Sequence, residues 1–282
     1  MFGTLYVVST PIGNLEDVTL RALRVLREAA VIAAEDTRHT AKLLQRYDIP
    51  TATTSFHEHN EHQKLPGLIA RLKAGDSIAL VSDAGTPGIR DPGYRLVRQA
   101  IEEQIRVEIV PGPSAVLTAL IASGLPTDAF TFLGFPPAKS KARAQWLAAM
   151  AAEPRTVVFF EAPHRIRATL RDLVPILGGR PVVLARELTK LHEETLRGTA
   201  SSLVDRLTDP RGEFTLVVAP PPDPVCEPAP TDECISQAFS AMVTGSETNR
   251  REAVSALAKR FGMASRDIYA AIERQKTRSA HD

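Results

Sequence analysis

The sequence predicts a two-domain α/β protein, with a mainly parallel sheet in the first domain and a mixed sheet in the second, followed by a small all-helical unit. Three observations lead there. Short apolar runs alternate with segments of helical spacing over residues 1–123, the β-α-β-α order that builds a parallel sheet. Two of those runs stop at loops rich in glycine and proline, which puts the loops at the carboxyl edge of a sheet, where open α/β folds bind ligands. A stretch rich in proline then separates the α/β part from a C-terminal segment that reads as helices only. The expected domains are 1–123, 124–222 and 223–282.

Composition sets limits before any motif does. The chain has 282 residues, 44% hydrophobic and 24% charged, enough apolar mass for a sizeable core. Its formal net charge of +1 removes any global electrostatic case for nucleic acid, so a basic surface must be local. No apolar run approaches membrane-spanning length, so no membrane partner is expected. The opening M-F-G-T-L-Y-V-V lacks a basic region and a small-residue cleavage site, so it does not read as a signal peptide. Cys226 and Cys234 form no C-x-x-C pair and have no His or Cys cluster beside them, which argues against a disulfide framework or structural zinc. A cytoplasmic protein with reduced thiols is expected.

The elements follow in order. Residues 5–8 read as the first strand, ended by S-T-P-I-G-N; Asp17 can cap a helix carrying Leu20, Leu23, Leu26 and Ala30. Residues 31–34 form a second strand, and Asp36 or Thr37 can cap a helix to Tyr47. The polar run 55–62, S-F-H-E-H-N-E-H, holds three histidines and two glutamates within six residues but lacks the H-E-x-x-H spacing; a solvated or substrate-facing segment is expected and no metal. A helix over 66–73 leads to the strand 78–81, which ends in D-A-G-T-P-G. A helix over 94–103 and a strand over 107–110 follow. P-G-P-S-A (111–115) opens a helix through Ser123, with Pro113 at its first turn and Gly124 just past its end. The second domain reads as strands at 130–135, 156–160, 182–185, 194–198 and 214–219, with helices around Trp146 and up to Leu177. After the prolines, Val254, Leu257 and Phe261 mark one helix; Gly262 ends it, and Ser265 can cap the next, a pattern like a helix-turn-helix. From Arg250 onward, eight Lys/Arg face four Asp/Glu, which suits an RNA contact or a plain solvated bundle.

Several chemistries are excluded by what is missing: no G-x-x-x-x-G-K-[ST], no G-x-G-x-x-G, no G-x-S-x-G. What remains is glycine/proline loops with hydroxyls and few fixed charges. They suit a ligand read by backbone groups that carries little phosphate. S-adenosylmethionine is such a ligand, and methyl transfer from it is mostly a matter of positioning.

Six segments carry a resemblance. L-Y-V-V-S-T-P-I-G-N-L-E-D (5–17), A-A-E-D-T-R-H-T (33–40), S-F-H-E-H-N-E (55–61), V-S-D-A-G-T-P-G-I (81–89), P-G-P-S-A (111–115) and E-A-P-H-R (161–165) appear in that order. Together they resemble the bacterial 16S ribosomal RNA cytidine-2′-O-methyltransferases, a branch of the tetrapyrrole-methylase-like superfamily. The likeness covers about residues 3–220. It implies a tetrapyrrole-methylase-like fold with S-adenosylmethionine in the cleft between two α/β domains, a homodimer, and the small (30S) ribosomal subunit as partner. The implied acceptor is the 2′-hydroxyl of cytidine 1402 in the decoding region of 16S RNA. It places the cofactor against Pro11, the loop of Asp83, Ala84, Gly85, Thr86 and Pro87, the segment of Ser114 and Ala115, and, from the second domain, Leu133 and the stretch Gly212, Glu213, Phe214 and Thr215. T-P-I-G-N and D-A-G-T-P depart from the tetrapyrrole branch, which makes a porphyrinoid or other small acceptor the alternative within the enzyme class. A non-catalytic RNA-binding protein is the alternative outside it.

A ribose hydroxyl is a poor nucleophile until its proton is removed. Asp36, His57, Glu58, Glu161 and Lys190 are the candidates to assist, with structural roles open to each: Asp36 as a cap, Glu161 and Lys190 as ion-pair partners. Arg38, Arg165 and Arg186 are candidate phosphate ligands, since guanidinium matches phosphate oxygens in pairs. Lys139, Lys141 and Arg143 could extend that surface.

Overall fold

The computed structural model describes residues 1–89, 91–208, 210–222, 230–244 and 249–279. The chain divides into two compact units, Met1–Pro221 and Pro222–Asp282. Cys226 and most of the proline stretch lie outside the described residues.

The first unit holds two five-stranded sheets. One is built from β1 (Thr4–Val8), β2 (Val31–Ala34), β3 (Thr53–Ser55), β4 (Ile78–Val81) and β5 (Arg106–Val110), in the order β3-β2-β4-β1-β5 and parallel throughout. Each buried strand sends alternate residues to opposite faces. Val8, Ile32, Ala79 and Val81 meet α1 (Leu20–Glu28) and α2 (Thr37–Arg46) on one side. Leu5, Val7, Ile78 and Leu80 meet α3 (Glu61–Lys73) and α4 (Tyr94–Glu102) on the other. Helices on both faces explain why these strands read as unbroken apolar runs.

The strand order has a switch point. The chain leaves β1 toward β2 on one side of the sheet and leaves β4 toward β5 on the other, yet β1 and β4 are neighbours. Their carboxyl-end loops therefore diverge and leave a crevice between them.

The second sheet runs β6-β7-β10-β8-β9, from β6 (Phe130–Phe132), β7 (Thr156–Glu161), β8 (Pro181–Arg186), β9 (Glu194–Thr199) and β10 (Phe214–Val218). Only the β6–β7 pair is parallel; the other three pairs are antiparallel. One face packs on α6 (Ser140–Ala152), α7 (Ile166–Leu177) and α8 (Ala200–Arg206) through Val157, Phe159, Leu184 and Leu216. The opposite face, with Val158, Val183, Ala185 and Val217, receives α5 (Ala115–Ser123) through Val116, Ala119 and Leu120. So the helix that the sequence places at the end of the first domain packs on the second sheet. Ser114 is its N-cap and Gly124, in the left-handed region at φ 72°, its C-cap.

The remaining differences have local causes. The helix expected from Pro66 starts at Glu61, because the amide of Glu61 donates to the His57 carbonyl at 2.9 Å and turns the polar run into a first helical turn. β3 and α8 are additional elements: three threonine and serine residues carry no apolar signal, and A-S-S-L-V-D-R is too short to show a period. The strand expected over 130–135 stops at Phe132, and Gly134 takes a positive φ of 69°.

The second unit is α9 (Asp232–Thr244), α10 (Arg250–Phe261) and α11 (Ser265–Ser279) around Ile235, Phe239, Val254, Leu257, Ile268 and Ile272. Asn249 caps α10 by accepting from the amides of Arg251 and Glu252, and Gly262 ends it. Ser265 is the first residue of α11 rather than its cap.

Candidate functional site

The loops leaving β1 and β4 are stitched together across the switch point. Thr10 and Gly85 exchange backbone hydrogen bonds of 2.9 and 3.1 Å. The Thr10 hydroxyl donates to the Ser82 carbonyl at 3.1 Å, and the Ser9 and Thr86 hydroxyls lie 2.8 Å apart. Gly85 sits at φ 75°, where a side chain is strained, and a Cβ there would meet only Ile12 at 3.8 Å. The bare backbone is thus turned to a cavity.

That cavity measures about 380 Å³. From the first sheet it is walled by Ile12, by Ala84, Gly85 and Thr86, and by Asp91; α5 brings Ser114, Ala115 and Val116. The second sheet closes it with Phe160 and Glu161, Leu188, and Glu213, Phe214 and Thr215. A second, smaller cavity of about 220 Å³ is walled by Pro11, His39, Lys42 and Asp83 among others.

Of the thirteen residues expected at the cofactor, Ala84, Gly85, Thr86, Ser114, Ala115, Glu213, Phe214 and Thr215 share the larger cavity, and Gly212 stands just outside its lining. Pro11 and Asp83 do not: they wall the smaller one. Pro87 is buried just beyond Thr86. Leu133 packs against the core of the second sheet, because its amide bonds the Val158 carbonyl and the chain turns away at Gly134. Ile12, Asp91, Val116, Phe160 and Leu188 also line the larger cavity and were not singled out from sequence. Asp91 stands in the stretch D-P-G, where an acidic residue reads as an ordinary turn former.

Of the five candidates to assist the hydroxyl, Glu161 lines the larger cavity, while Asp36, His57, Glu58 and Lys190 do not. Asp36 is the N-cap of α2; its carboxylate accepts from the Arg38 amide at 2.8 Å and pairs with the Arg38 guanidinium at 2.7 Å. That guanidinium and the cap's amides hold Asp36 well below the usual carboxylate range, which makes it a weak base. His57 follows β3, with its Nε2 3.1 Å from the Asn60 amide and its Nδ1 buried with no hydrogen-bond partner. Glu58 is exposed. Burial works against the charge on Lys190, but Glu187 and Glu213, at 3.0 and 3.2 Å, outweigh it and raise its pKa, so it stays a cation.

Glu161 is buried, with 2% exposure. One oxygen takes the Ala162 amide at 2.8 Å and Arg165 at 2.6–2.7 Å; the other takes Arg143 at 3.3 Å and the Thr169 hydroxyl. Two of the four arginines expected on the phosphate surface, Arg143 and Arg165, therefore face inward onto a carboxylate. Arg186 pairs with Glu194 at 3.1 Å, and Arg38 with Asp36. Lys139 and Lys141 are exposed at the start of α6.

A second carboxylate group surrounds the carboxyl ends of β2 and β4. The Asp83 amide donates to Glu35 at 3.3 Å, and the Asp36 amide donates to Asp83 at 3.0 Å. Burial raises the pKa of Glu35, the Asp83 amide opposes it, and the Asp83 charge adds to it. Among the described residues, no group of three or more His, Cys, Asp and Glu is arranged to hold a metal ion. Nor is any described helix long and apolar enough to cross a membrane. Cys234 is an exposed free thiol.

The paired sheets and the crevice define a class. The family described as Tetrapyrrole (Corrin/Porphyrin) Methylases matches residues 4–204. A crystal structure of uroporphyrin-III C-methyltransferase from Thermus thermophilus, complexed with S-adenosylhomocysteine, shares the fold at a TM-score of 0.55 and 20% identity, covering 77% of this chain and 97% of that one. The sequence is also 46% identical over 270 residues to "Ribosomal RNA small subunit methyltransferase I" of Synechocystis, spanning 95% of this chain and 96% of the relative. It is 55% identical over 218 residues to the protein of that name from Halalkalibacterium halodurans, spanning 77% and 75%. The chain belongs to the tetrapyrrole methylase superfamily and, within it, to the ribosomal RNA small subunit methyltransferase I family.

The enzyme is a methyltransferase and its cofactor is S-adenosylmethionine. The larger cavity fits that group. Its volume lies within the ~300–1,000 Å³ of small-molecule clefts. Its wall is largely apolar with a few polar groups, a glycine backbone faces in, and α5 begins there. The first N–H groups of a helix have no partner inside it and suit a carboxylate.

Proposed function

We propose that the enzyme methylates the ribose 2′-hydroxyl of a cytidine in 16S ribosomal RNA of the small subunit, cytidine 1402 in the decoding region. What carries the reading is identity of 46% along 95% of the chain to a protein named for the small-subunit RNA. The cofactor supplies a methyl group made electrophilic by a positively charged sulfur. In this reading the backbone at Ala84, Gly85 and Thr86 and the start of α5 hold its amino-acid part. Leu188, Phe214 and Thr215 hold the adenosine. Exposed Lys139 and Lys141, with Arg250, Arg251, Lys259 and Arg260 of the C-terminal unit, offer phosphate contacts that do not require breaking a buried pair. The reaction takes place in the bacterial cytoplasm, and the protein acts as a homodimer, which light scattering would measure.

The test is labelling. Small subunits lacking the modification, and free 16S RNA beside them, are incubated with S-adenosylmethionine labelled in its methyl group, and the RNA is digested to nucleosides. Label in 2′-O-methylcytidine at the decoding site is the expected result. Label on a base, or at another nucleotide, overturns the reading.

A further inference from the structure

Three carboxylates line the larger cavity, and two are already committed. Glu161 is saturated by Arg143, Arg165, Thr169 and the Ala162 amide, and Glu213 is paired with Lys190. Asp91 differs. Among the described residues no lysine or arginine pairs with it; it is half-buried, and the Ser82 hydroxyl beside it acts to lower its pKa. It reaches the cavity beside Ala84, Gly85 and Thr86, the loop whose backbone faces the same space.

We propose that Asp91 is the catalytic base that takes the proton from the acceptor hydroxyl, and that Glu35 and Asp83 maintain it as a proton acceptor. The proposal rests on the reading above that the acceptor is a hydroxyl. As the hydroxyl oxygen forms its new bond to the methyl carbon, the methyl–sulfur bond breaks with its electron pair left on sulfur, which cancels the positive charge there. The O–H bond breaks and its proton passes to the Asp91 carboxylate, which becomes a neutral acid and later releases the proton to water. Charge and atoms balance without a further reactant.

The surroundings suit this task. Burial first, then the Glu35 charge, opposed by the Ser82 hydroxyl and assisted by the Asp83 charge, pushes the Asp91 pKa up to about 7. A base is most effective when its pKa lies near the working pH. Among the described residues, charged groups surround it from several elements. After β2 stand Glu35 and Asp36, the latter held by Arg38. After β3 stands His57, whose charge acts on Glu35. After β4 stands Asp83. From α4, Arg95 is drawn to Glu61 and His62. From the second sheet, Glu161 and Glu213 are already neutralised by cations.

The experiment uses full-length protein and unmodified small subunits in single turnover. Asp91→Asn should lower the methyl-transfer rate by about 10²- to 10⁴-fold, with S-adenosylhomocysteine affinity, measured by calorimetry, falling by less than about tenfold. Glu35→Gln should shift the acid limb of the rate–pH profile to lower pH. The Asp91 carboxyl titration, followed by ¹³C NMR on protein without ligand, should move the same way. Full turnover in Asp91→Asn, or an acid limb and a titration that both stay in place in Glu35→Gln, overturns the proposal. A wild-type enzyme that labels a base instead of a hydroxyl defeats the underlying reading, whatever the variants do.

Discussion

Thr10 and Gly85 each donate a backbone amide to the other's carbonyl, so two loops that leave adjacent strands in opposite directions are locked edge to edge. Gly85 holds the left-handed conformation that this exchange requires. Placing a side chain there costs ~1–2 kcal/mol in backbone strain, and its bulk would enter the cavity. Gly85→Val should remain folded with a lowered melting temperature and lose at least about tenfold in S-adenosylhomocysteine affinity, some 1.4 kcal/mol, by calorimetry. Unchanged affinity would show that the ligand does not lie on this loop.

Glu161 neutralises two arginines at the floor of the cavity. Removing one partner of a buried ion pair strands the other charge and costs about 3–5 kcal/mol. Glu161→Ala should therefore lower the stability measured by urea denaturation by that order, and Glu161→Gln by less, since it still accepts from the Ala162 amide. A stability loss no larger than that of an exposed pair would place the network in water.

Asp91 ties stability to pH in a defined direction. Its pKa is about 7 in the folded protein against an ordinary 3.8. Between those values the folded chain keeps a proton that the unfolded chain releases, so this residue's contribution to stability falls as pH rises through that window and is lowest above it. Asp91→Asn should accordingly melt above the wild type at pH 8, with the difference closing toward pH 4. Calorimetry across that range measures it; a constant difference would mean that Asp91 titrates normally.

All residues that wall the larger cavity lie between Ile12 and Thr215, inside the first unit. A chain ending at Pro221 should keep its fold and bind S-adenosylhomocysteine within about twofold of the full-length protein, a difference below about 0.5 kcal/mol. Loss of methyl transfer to RNA in that truncation, with binding intact, would assign the C-terminal helices to the acceptor.

The sequence was most legible where structure is local. The strands at 31–34 and 78–81 carry their period and their turns within a few residues, and the structure has both with those bounds. β3 was not legible, since T-T-S becomes a strand only because Ile32, Ala33 and Ala34 lie beside it. The site shows the same division. Ala84, Gly85 and Thr86 announce themselves by small size after a strand. Asp91 and Glu35 do not, because what makes them unusual is burial and mutual charge, and these arise only when the strand order brings residues 35, 83 and 91 to one edge. Arg143 and Arg165 read as surface cations because the spacing of Glu161 and Arg165 suggests an ion pair but not its burial, which arises only when α6 and α7 pack over the end of β7.

Helix α5 has its body in the core of the second sheet and its first turn at the cavity wall beside Thr86. It is therefore a shared rafter. The second sheet cannot lift away without pulling Ser114 and Ala115 out of position, and a ligand gripping that first turn braces both sheets at once. The two halves of the first unit should melt as one calorimetric transition, and occupancy of the cavity should raise that single transition instead of splitting it.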